Sequence, residues 1–493
     1  MTHIRPLAAV NDERALTDIP KAVPAGVIAL SVALAFLIPN IATLAVPALH
    51  GIAGIYLIRR RAPAQLVQLT LASYAFMPLV RRVVDWQDGF TDPSPILIAP
   101  TIPCLACALI LLRPFRMDRA AAAPVWTFLV ISLFGCAVGL LLNGSVAVIT
   151  SFLKLIAPAL LALVVLANAK KAAESVLAGL VPLARWLALG MGAYGLVQFL
   201  VLPPWDAAWM RSVEDIVYSI GAAEPLSVRV YSTGSSPGPT AGLITFALLI
   251  LMTTGAPLRR PVLDAAAIGA GVTTLGLTQV RASWLVLLLC ILLIGSRRPR
   301  VLRGVLVLAA VVTPLGMLAA GPVIDTISGR LTDTVAAGSQ DTSLQARLSF
   351  QAAQLPVAIS QPLGQGVGSS GAAARIAGGD AAFTDVDSGY LELFRVFGAV
   401  GASVLIGVFG LMSWRAWQVA GRPPNHLIQL PLLGAAATVV ITPANLLFAA
   451  PQDANAALLW VLWASLAVVR SNDKPRAPRH AVTRMARTST RTK

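Results

Sequence analysis

Apolar runs of about 20 residues, each long enough to cross a bilayer as a helix, recur from one end of this chain to the other. Nothing else in the sequence restricts its fold so strongly. About fourteen such runs can be marked. They are Ala25 to Pro39, Ile41 to Ile58, Ala64 to Val80, Pro95 to Leu112, Val125 to Leu142, Ser145 to Asn168, Val176 to Leu202 and Gly238 to Gly255. Val262 to Val280, Ala282 to Ser296, Val305 to Pro322, Tyr390 to Met412, Ile428 to Phe448 and Ala456 to Val469 complete the series. With 57% of residues hydrophobic and 12% charged, the chain cannot cover itself with polar surface as a water-soluble globule must. The expected fold class is an all-α polytopic integral membrane protein of about fourteen transmembrane helices, with a long external loop that contains an amphipathic helix.

The net charge of +16 would suit a nucleic-acid partner if the basic residues were clustered, but most flank the spans, where anionic membrane lipid is the natural partner. Their distribution also sets orientation, because Lys and Arg in short loops stay on the cytoplasmic side. With both termini inside, the loops holding Arg59 to Arg61, Arg113, Arg116 and Arg119, Lys170 and Lys171, Arg259 and Arg260, Arg297 to Arg303, and Arg415 and Arg422 all become cytoplasmic. The domain plan is then a cytoplasmic tail over residues 1–24, a membrane domain over 25–469 and a basic cytoplasmic arm, read as disordered, over 470–493. Asp12, Glu13 and Asp18 in the first tail argue against a cleaved signal peptide. The external loops fall at about 81–94, 203–237 and 324–389. All three mix acidic and basic residues, among them Arg81, Arg82 and Asp206.

The longest loop is the chain's main polar interruption, and loops of such length are commonly functional. Leu344, Leu348, Ala352, Leu355 and Ile359 recur at helical spacing, with Arg347, Gln351 and Gln354 on a neighbouring polar face. Gln361-Pro-Leu-Gly-Gln-Gly-Val-Gly368 follows. No strand precedes these glycines, so the segment reads as a flexible turn and not as a nucleotide loop. Asp385, Asp387, Tyr390 and Glu392 then lead back into an apolar run. Glu392 stands three residues before Arg395, close enough to pair on a helix, whereas Asp387 has no such local partner and reads either as a functional acid or as a helix cap.

Three arginines collect at the external boundary: Arg229 before a Pro-Gly-rich turn, Arg281 between two apolar runs, and Arg347 on the amphipathic helix. Each alone could be an interfacial anchor, but together they suit an anion, because the guanidinium fork matches two phosphate oxygens. Lys154 and Arg185 lie within spans and should each face a partner or a water-filled cavity. The four cysteines sit in apolar runs and suggest no disulfide framework; Cys104 and Cys107 read as packing residues. No histidine falls in an external loop, and His50 reads as a packing residue.

The order of these pieces resembles the O-antigen ligase and polymerase superfamily of bacterial surface-polysaccharide enzymes. The matching elements are Arg229 to Pro239, Thr278-Gln-Val-Arg-Ala-Ser-Trp-Leu285, Arg347 opening a helix towards Pro362 to Gly368, and Asp387 to Leu393 ahead of Gly398. The resemblance implies an inverting glycosyltransferase of the bacterial inner membrane that uses neither metal nor other cofactor. Its donor and acceptor would be polyprenyl-diphosphate-linked glycans at the outer face, with a chain-length regulator and other export-complex proteins as partners. It assigns the donor diphosphate to Arg229, Arg281 and Arg347, and leaves the acid-base role to Asp387 or Glu392. Ligases of the family carry a histidine at the head of the re-entry helix, where this chain has Asp387 and Ser388. That difference favours a polymerase of O-antigen or exopolysaccharide over a ligase that transfers glycan to a lipid A core. The competing classes are a carrier of glycan-lipid or solute, which would show broken helices or repeat symmetry, and a scaffold of an export complex.

The orientation is directly testable. A reporter active only outside the cytoplasm should work when fused after Asp341 and fail after Arg300 or Lys474. The reverse pattern would invert every site assignment.

Overall fold

A computed structural model of the protein describes residues 8–112, 117–167, 170–214, 220–253, 261–299, 302–303, 342–371, 374, 388–420, 429–445 and 453–472. The expected span Val305 to Pro322, Asp385, Asp387, and most of the tail after Arg470 lie outside the described residues. Among the described residues the chain is helical, and its only β-pairing is one isolated antiparallel bridge between Gly221 and Val228.

Among the described residues five helices are long and apolar enough to cross a membrane: Pro39–Arg59, Arg119–Leu142, Ser145–Ala167, Ala172–Val201 and Gly389–Ala420. Shorter apolar helices include Pro237–Thr253, Val262–Leu277 and Ala454–Val469. The chain is therefore a multi-pass helical membrane protein, although the criterion of length and apolarity falls short of the fourteen spans marked in the sequence. Its first helix, α1 (Ala8–Leu37), begins well before the run expected from Ala25. It is followed by α2 (Pro39–Arg59) and α3 (Pro63–Asp88). The run from Pro95 to Leu112, expected as one span, is instead two 3-10 turns on either side of α4 (Thr101–Ala106). Pro95, Pro100 and Pro103 remove amide donors there and prevent a continuous ladder.

A hairpin of α5 (Arg119–Leu142) and α6 (Ser145–Ala167) leads to the long α7 (Lys170–Val201), the short α8 (Pro204–Ser212), α9 (Pro237–Thr253), α10 (Pro261–Leu277) and α11 (Arg281–Arg297). The amphipathic segment forms α12 (Thr342–Ser360), and the re-entry run forms α13 (Gly389–Ala420). Two further helices, α14 (Gln429–Asn445) and α15 (Asp453–Asn472), complete the fold. The last is apolar on every side and buried along most of its length, as befits the central helix of a bundle. Its Trp460 ring lies 5.0 Å from Phe128 on α5 and 6.3 Å from Phe409 on α13.

Two expectations about the re-entry region change. The first is the continuity of α13, which is broken at Gly398 with φ 68° and ψ −179°. A break frees backbone groups that nothing in hydrocarbon can bond, and the glycine-rich segment takes them. Gln365 N–H donates to the Arg395 carbonyl at 2.7 Å and Gly366 N–H to that of Val396 at 3.1 Å. In return Ala399 and Val400 N–H donate to the carbonyls of Gln361 and Pro362 at 3.2 and 3.4 Å. The second is the segment itself, read as flexible. Its other side is held by α5, where Val367 N–H donates to the Gly135 carbonyl at 2.9 Å and Asn143 Nδ2 to that of Gln365 at 2.9 Å. Gly366 lies so close to Gly139 that a Cβ on it would overlap the Gly139 backbone. The glycines permit close backbone packing here, which composition cannot distinguish from freedom.

The packed face of α12 also differs from its apolar stripe. Leu348 and Ile359 are 56% and 45% exposed. Phe350, Leu355 and Ala358 instead meet Leu391 and Phe394 of α13. Of the stripe, Leu348, Ala352 and Ile359 look away from the bundle while Leu355 joins the packed face, and the outward residues are suited to lipid outside a membrane protein.

Gly398→Ala would place a side chain at positive φ and against the Pro362 carbonyl, at a cost of about 1–3 kcal/mol. Thermal unfolding in detergent should register that loss. Gly407→Ala on the same helix, where an added Cβ meets nothing within 4 Å, should be neutral or slightly stabilising. Equal melting of both variants would contradict the docked-loop account.

Candidate functional site

Arg229 is bonded to the turn that leads to Arg281. The segment between α8 and α9 folds back on itself at the Gly221–Val228 bridge, with Arg229 N–H donating to the Ile220 carbonyl at 2.8 Å. It then runs beside the end of α10, where Val230 N–H donates to the Leu277 carbonyl at 3.2 Å and Arg229 Nε to that of Thr278 at 2.7 Å. The turn from Thr278 to Val280 includes Gln279 at φ 55° and delivers Arg281 as the first residue of α11. Both arginines are half-buried. A helix N-terminus carries partial positive charge and free amide donors, so an arginine there adds to the field instead of opposing it. A guanidinium beside a helix start is the kind of arrangement that can stabilise an anion.

The acidic candidate Glu392 is held elsewhere, on the first turn of α13. Its Oε1 accepts from Ser370 Oγ at 3.0 Å, and Arg395 Nε donates to the Ser369 carbonyl at 3.0 Å. Both side chains thus attach α13 to the end of the glycine segment. Ser388 precedes the helix and its Oγ accepts from Leu391 N–H at 3.4 Å. Asp387, weighed as a cap or a functional acid, lies outside the described residues. Arg347 lies on α12, and its side chain is likewise outside what is described.

Behind Arg229 is a buried network that the sequence reading scattered over two external loops. Arg82 lies within α3 and Asp206 within α8, only 1% and 0% exposed, with Arg82 Nε 2.7 Å from Asp206 Oδ1. The remaining donors of the Arg82 fork reach the carbonyls of Ser232 and Gly234, both at 2.5 Å. Asp206 Oδ2 accepts from Tyr194 Oη at 2.8 Å and Gln198 Nε2 at 2.9 Å, both on α7. Gln198 Oε1 in turn accepts from the N–H groups of Tyr231 and Ser232 at 3.0 and 2.8 Å. The Arg82 guanidinium also stacks over the Tyr231 ring at 4.8 Å. Burial raises the Tyr231 phenol well above its ordinary pKa, against the pull of Arg82, so this hydroxyl stays neutral and cannot serve as a base. The sequence did carry a signal: Tyr194 and Gln198 are polar, four residues apart and therefore on one face of an apolar helix.

Of the two embedded cations, Arg185 meets Asp264 of α10 in a short ion pair, as expected of a charge in a span. Lys154 is exposed on α6. His50 is buried, with Nδ1 2.8 Å from the Val46 carbonyl, and all four cysteines are buried and free. Among the described residues no three His, Cys, Asp or Glu side chains gather as metal ligands. An outward groove of about 430 Å³ between α2 and α4 is lined by Gly51, Ile55, Ile102, Leu105 and Leu109. It presents apolar surface and has no reactive group.

Residues 266–406 match a family model described as O-antigen ligase. The matched segment spans most of α10, all of α11 and α12, the glycine segment and α13 past its break, so it includes Arg281, Arg347, Asp387 and Glu392. Arg229 lies ahead of it. No curated protein and no solved structure matches the chain.

Glu392→Gln keeps an oxygen for the Ser370 hydroxyl and should melt as the wild type does. Glu392→Ala removes that acceptor and should lose about 1 kcal/mol. A glutamine variant as unstable as the alanine one would mean that charge, and not the acceptor, holds the glycine segment.

Proposed function

We propose that this chain, whose residues 266–406 match the O-antigen ligase family and so support membership of the O-antigen ligase/polymerase superfamily, polymerises glycan repeat units carried on polyprenyl diphosphate at the outer face of the bacterial inner membrane. The observation that carries this reading is the bond from Arg229 Nε to the Thr278 carbonyl, in the turn that leads to Arg281 as the first residue of α11. An anion site built of guanidinium forks beside apolar helices fits a lipid-linked diphosphate, which presents paired phosphate oxygens on a long hydrocarbon chain.

In the proposed reaction an acceptor hydroxyl attacks the anomeric carbon from the face opposite the diphosphate. The new carbon–oxygen bond forms as the bond to the diphosphate oxygen breaks, which inverts the configuration and releases polyprenyl diphosphate. Negative charge grows on the leaving group, so preplaced arginines stabilise the transition state more than the ground state. Arg229, Arg281 and Arg347 hold the diphosphate, and Asp387 or Glu392 takes the hydroxyl proton. With Ser388 capping α13, Asp387 is the preferred base.

A second reading, transfer of a finished glycan to a lipid A core, is favoured by the ligase description of the matched family. The two differ in acceptor. A preparation that extends lipid-linked repeats is a polymerase, and one that requires a core oligosaccharide is a ligase.

Lysine keeps the charge of arginine but loses the fork. Losing one preorganised donor at a developing anion costs about 3 kcal/mol, or about a hundredfold in rate. Arg281→Lys and Arg347→Lys should therefore insert normally while unpolymerised lipid-linked repeats accumulate. Asp387→Asn should do the same. Wild-type polymerisation rates in purified lysine variants would remove the diphosphate clamp from these positions.

A further inference from the structure

The buried Arg82–Asp206 pair is expensive to keep. Two charges of 1% and 0% exposure have left water, and such a pair can usually be replaced by apolar residues of similar volume without loss of stability. Its presence is therefore better explained by a role beyond holding helices together. The geometry supplies one, because two of the Arg82 donors reach the backbone just after Arg229.

We propose that Arg82, oriented by Asp206 and acting with Gln198, is a positioning residue that fixes the Arg229–Ser236 segment and so aims the Arg229 guanidinium at the start of α11. The proposal rests on the reading that Arg229 grips the donor diphosphate. Arg82 takes the carbonyls of Ser232 and Gly234, and Gln198 Oε1 takes the N–H groups of Tyr231 and Ser232. Ser232 Oγ donates to the Met191 carbonyl at 2.5 Å, and Thr240 Oγ1 to that of Tyr231 at 2.6 Å. Ser232 sits at φ 50°, a backbone conformation that a serine holds only when its surroundings fix it.

Each group in the network has a distinct task. Asp206 lies between Arg82 on one oxygen and Tyr194 with Gln198 on the other. The carboxylate therefore orients both groups that clamp the segment: the guanidinium through its charge, and the Gln198 amide so that its oxygen faces the segment's N–H groups. Tyr194 also accepts from Trp205 Nε1 at 2.6 Å, which ties α8 to α7. Remote rigidity of this kind affects rate because a displacement of about 1 Å at a reacting group can cost about a hundredfold.

The test separates positioning from mere stability. Arg82→Met/Asp206→Leu removes both charges together and keeps apolar bulk, so it should insert near the wild-type level. Hydrogen exchange of the peptide containing residues 229–234 is read in detergent, alongside polymerisation of a polyprenyl-diphosphate-linked repeat unit. The proposal expects at least tenfold faster exchange there, unchanged exchange in α15, and at least tenfold lower kcat. Wild-type exchange in the segment overturns the positioning role. Faster exchange with a wild-type rate of transfer instead overturns the assignment of Arg229 to the diphosphate, on which the proposal rests. Should the double variant fail to accumulate, Arg82→Lys, which keeps a charge opposite Asp206 but lacks the planar fork, is read in the same assays. Wild-type exchange in that variant overturns the proposal equally.

Discussion

A backbone amide or carbonyl released inside a membrane has no water to bond, so any departure from a continuous helix must be answered by protein. The break of α13 at Gly398 is answered by the segment from Gln361 to Gly366, which donates to the carbonyls before the break and accepts from the amides after it. That exchange joins α5, the glycine segment and α13 into one unit. Ser369, Ser370, Glu392 and Arg395 are attached through it. A broken helix is also what a carrier would show; here the freed groups are taken up by the loop.

The same principle operates at the other half of the site with charge in place of backbone. A buried segment that turns before α9 needs its polar groups satisfied while it carries Arg229. Arg82, Asp206, Gln198 and Tyr194 do this from α3, α8 and α7. Arg229 then reaches the Thr278 carbonyl, in the turn that leads to Arg281. Rigid support beneath flexible-looking external loops suits chemistry that depends on where charge develops, because donors fixed beforehand need not reorganise during reaction.

Much of this was legible in the sequence, in a graded way. The apolar runs fixed the class, since hydrocarbon selects for them directly. The order of arginines, glycines and acids pointed to the family that the match over residues 266–406 supports. What could not be read were facts about space. The glycines of 364–368 look the same in composition whether they are loose or pressed against α5. Arg82 and Asp206 are more than a hundred residues apart and look like ordinary loop charges until α3 and α8 bring them to 2.7 Å. The apolar stripe of α12 was visible, but not which way it turned, because for a helix beside a membrane an apolar face can look outward.

The central claim is that the chain breaks the bond between sugar and diphosphate, and does not merely hold or carry the glycan-lipid. The most direct measurement is to incubate the purified protein in lipid nanodiscs with one polyprenyl-diphosphate-linked repeat unit, then resolve glycan length and free polyprenyl diphosphate. The account predicts a ladder of longer glycans, with one polyprenyl diphosphate released for each linkage formed. Donor that binds and is recovered intact, with no release, would contradict it.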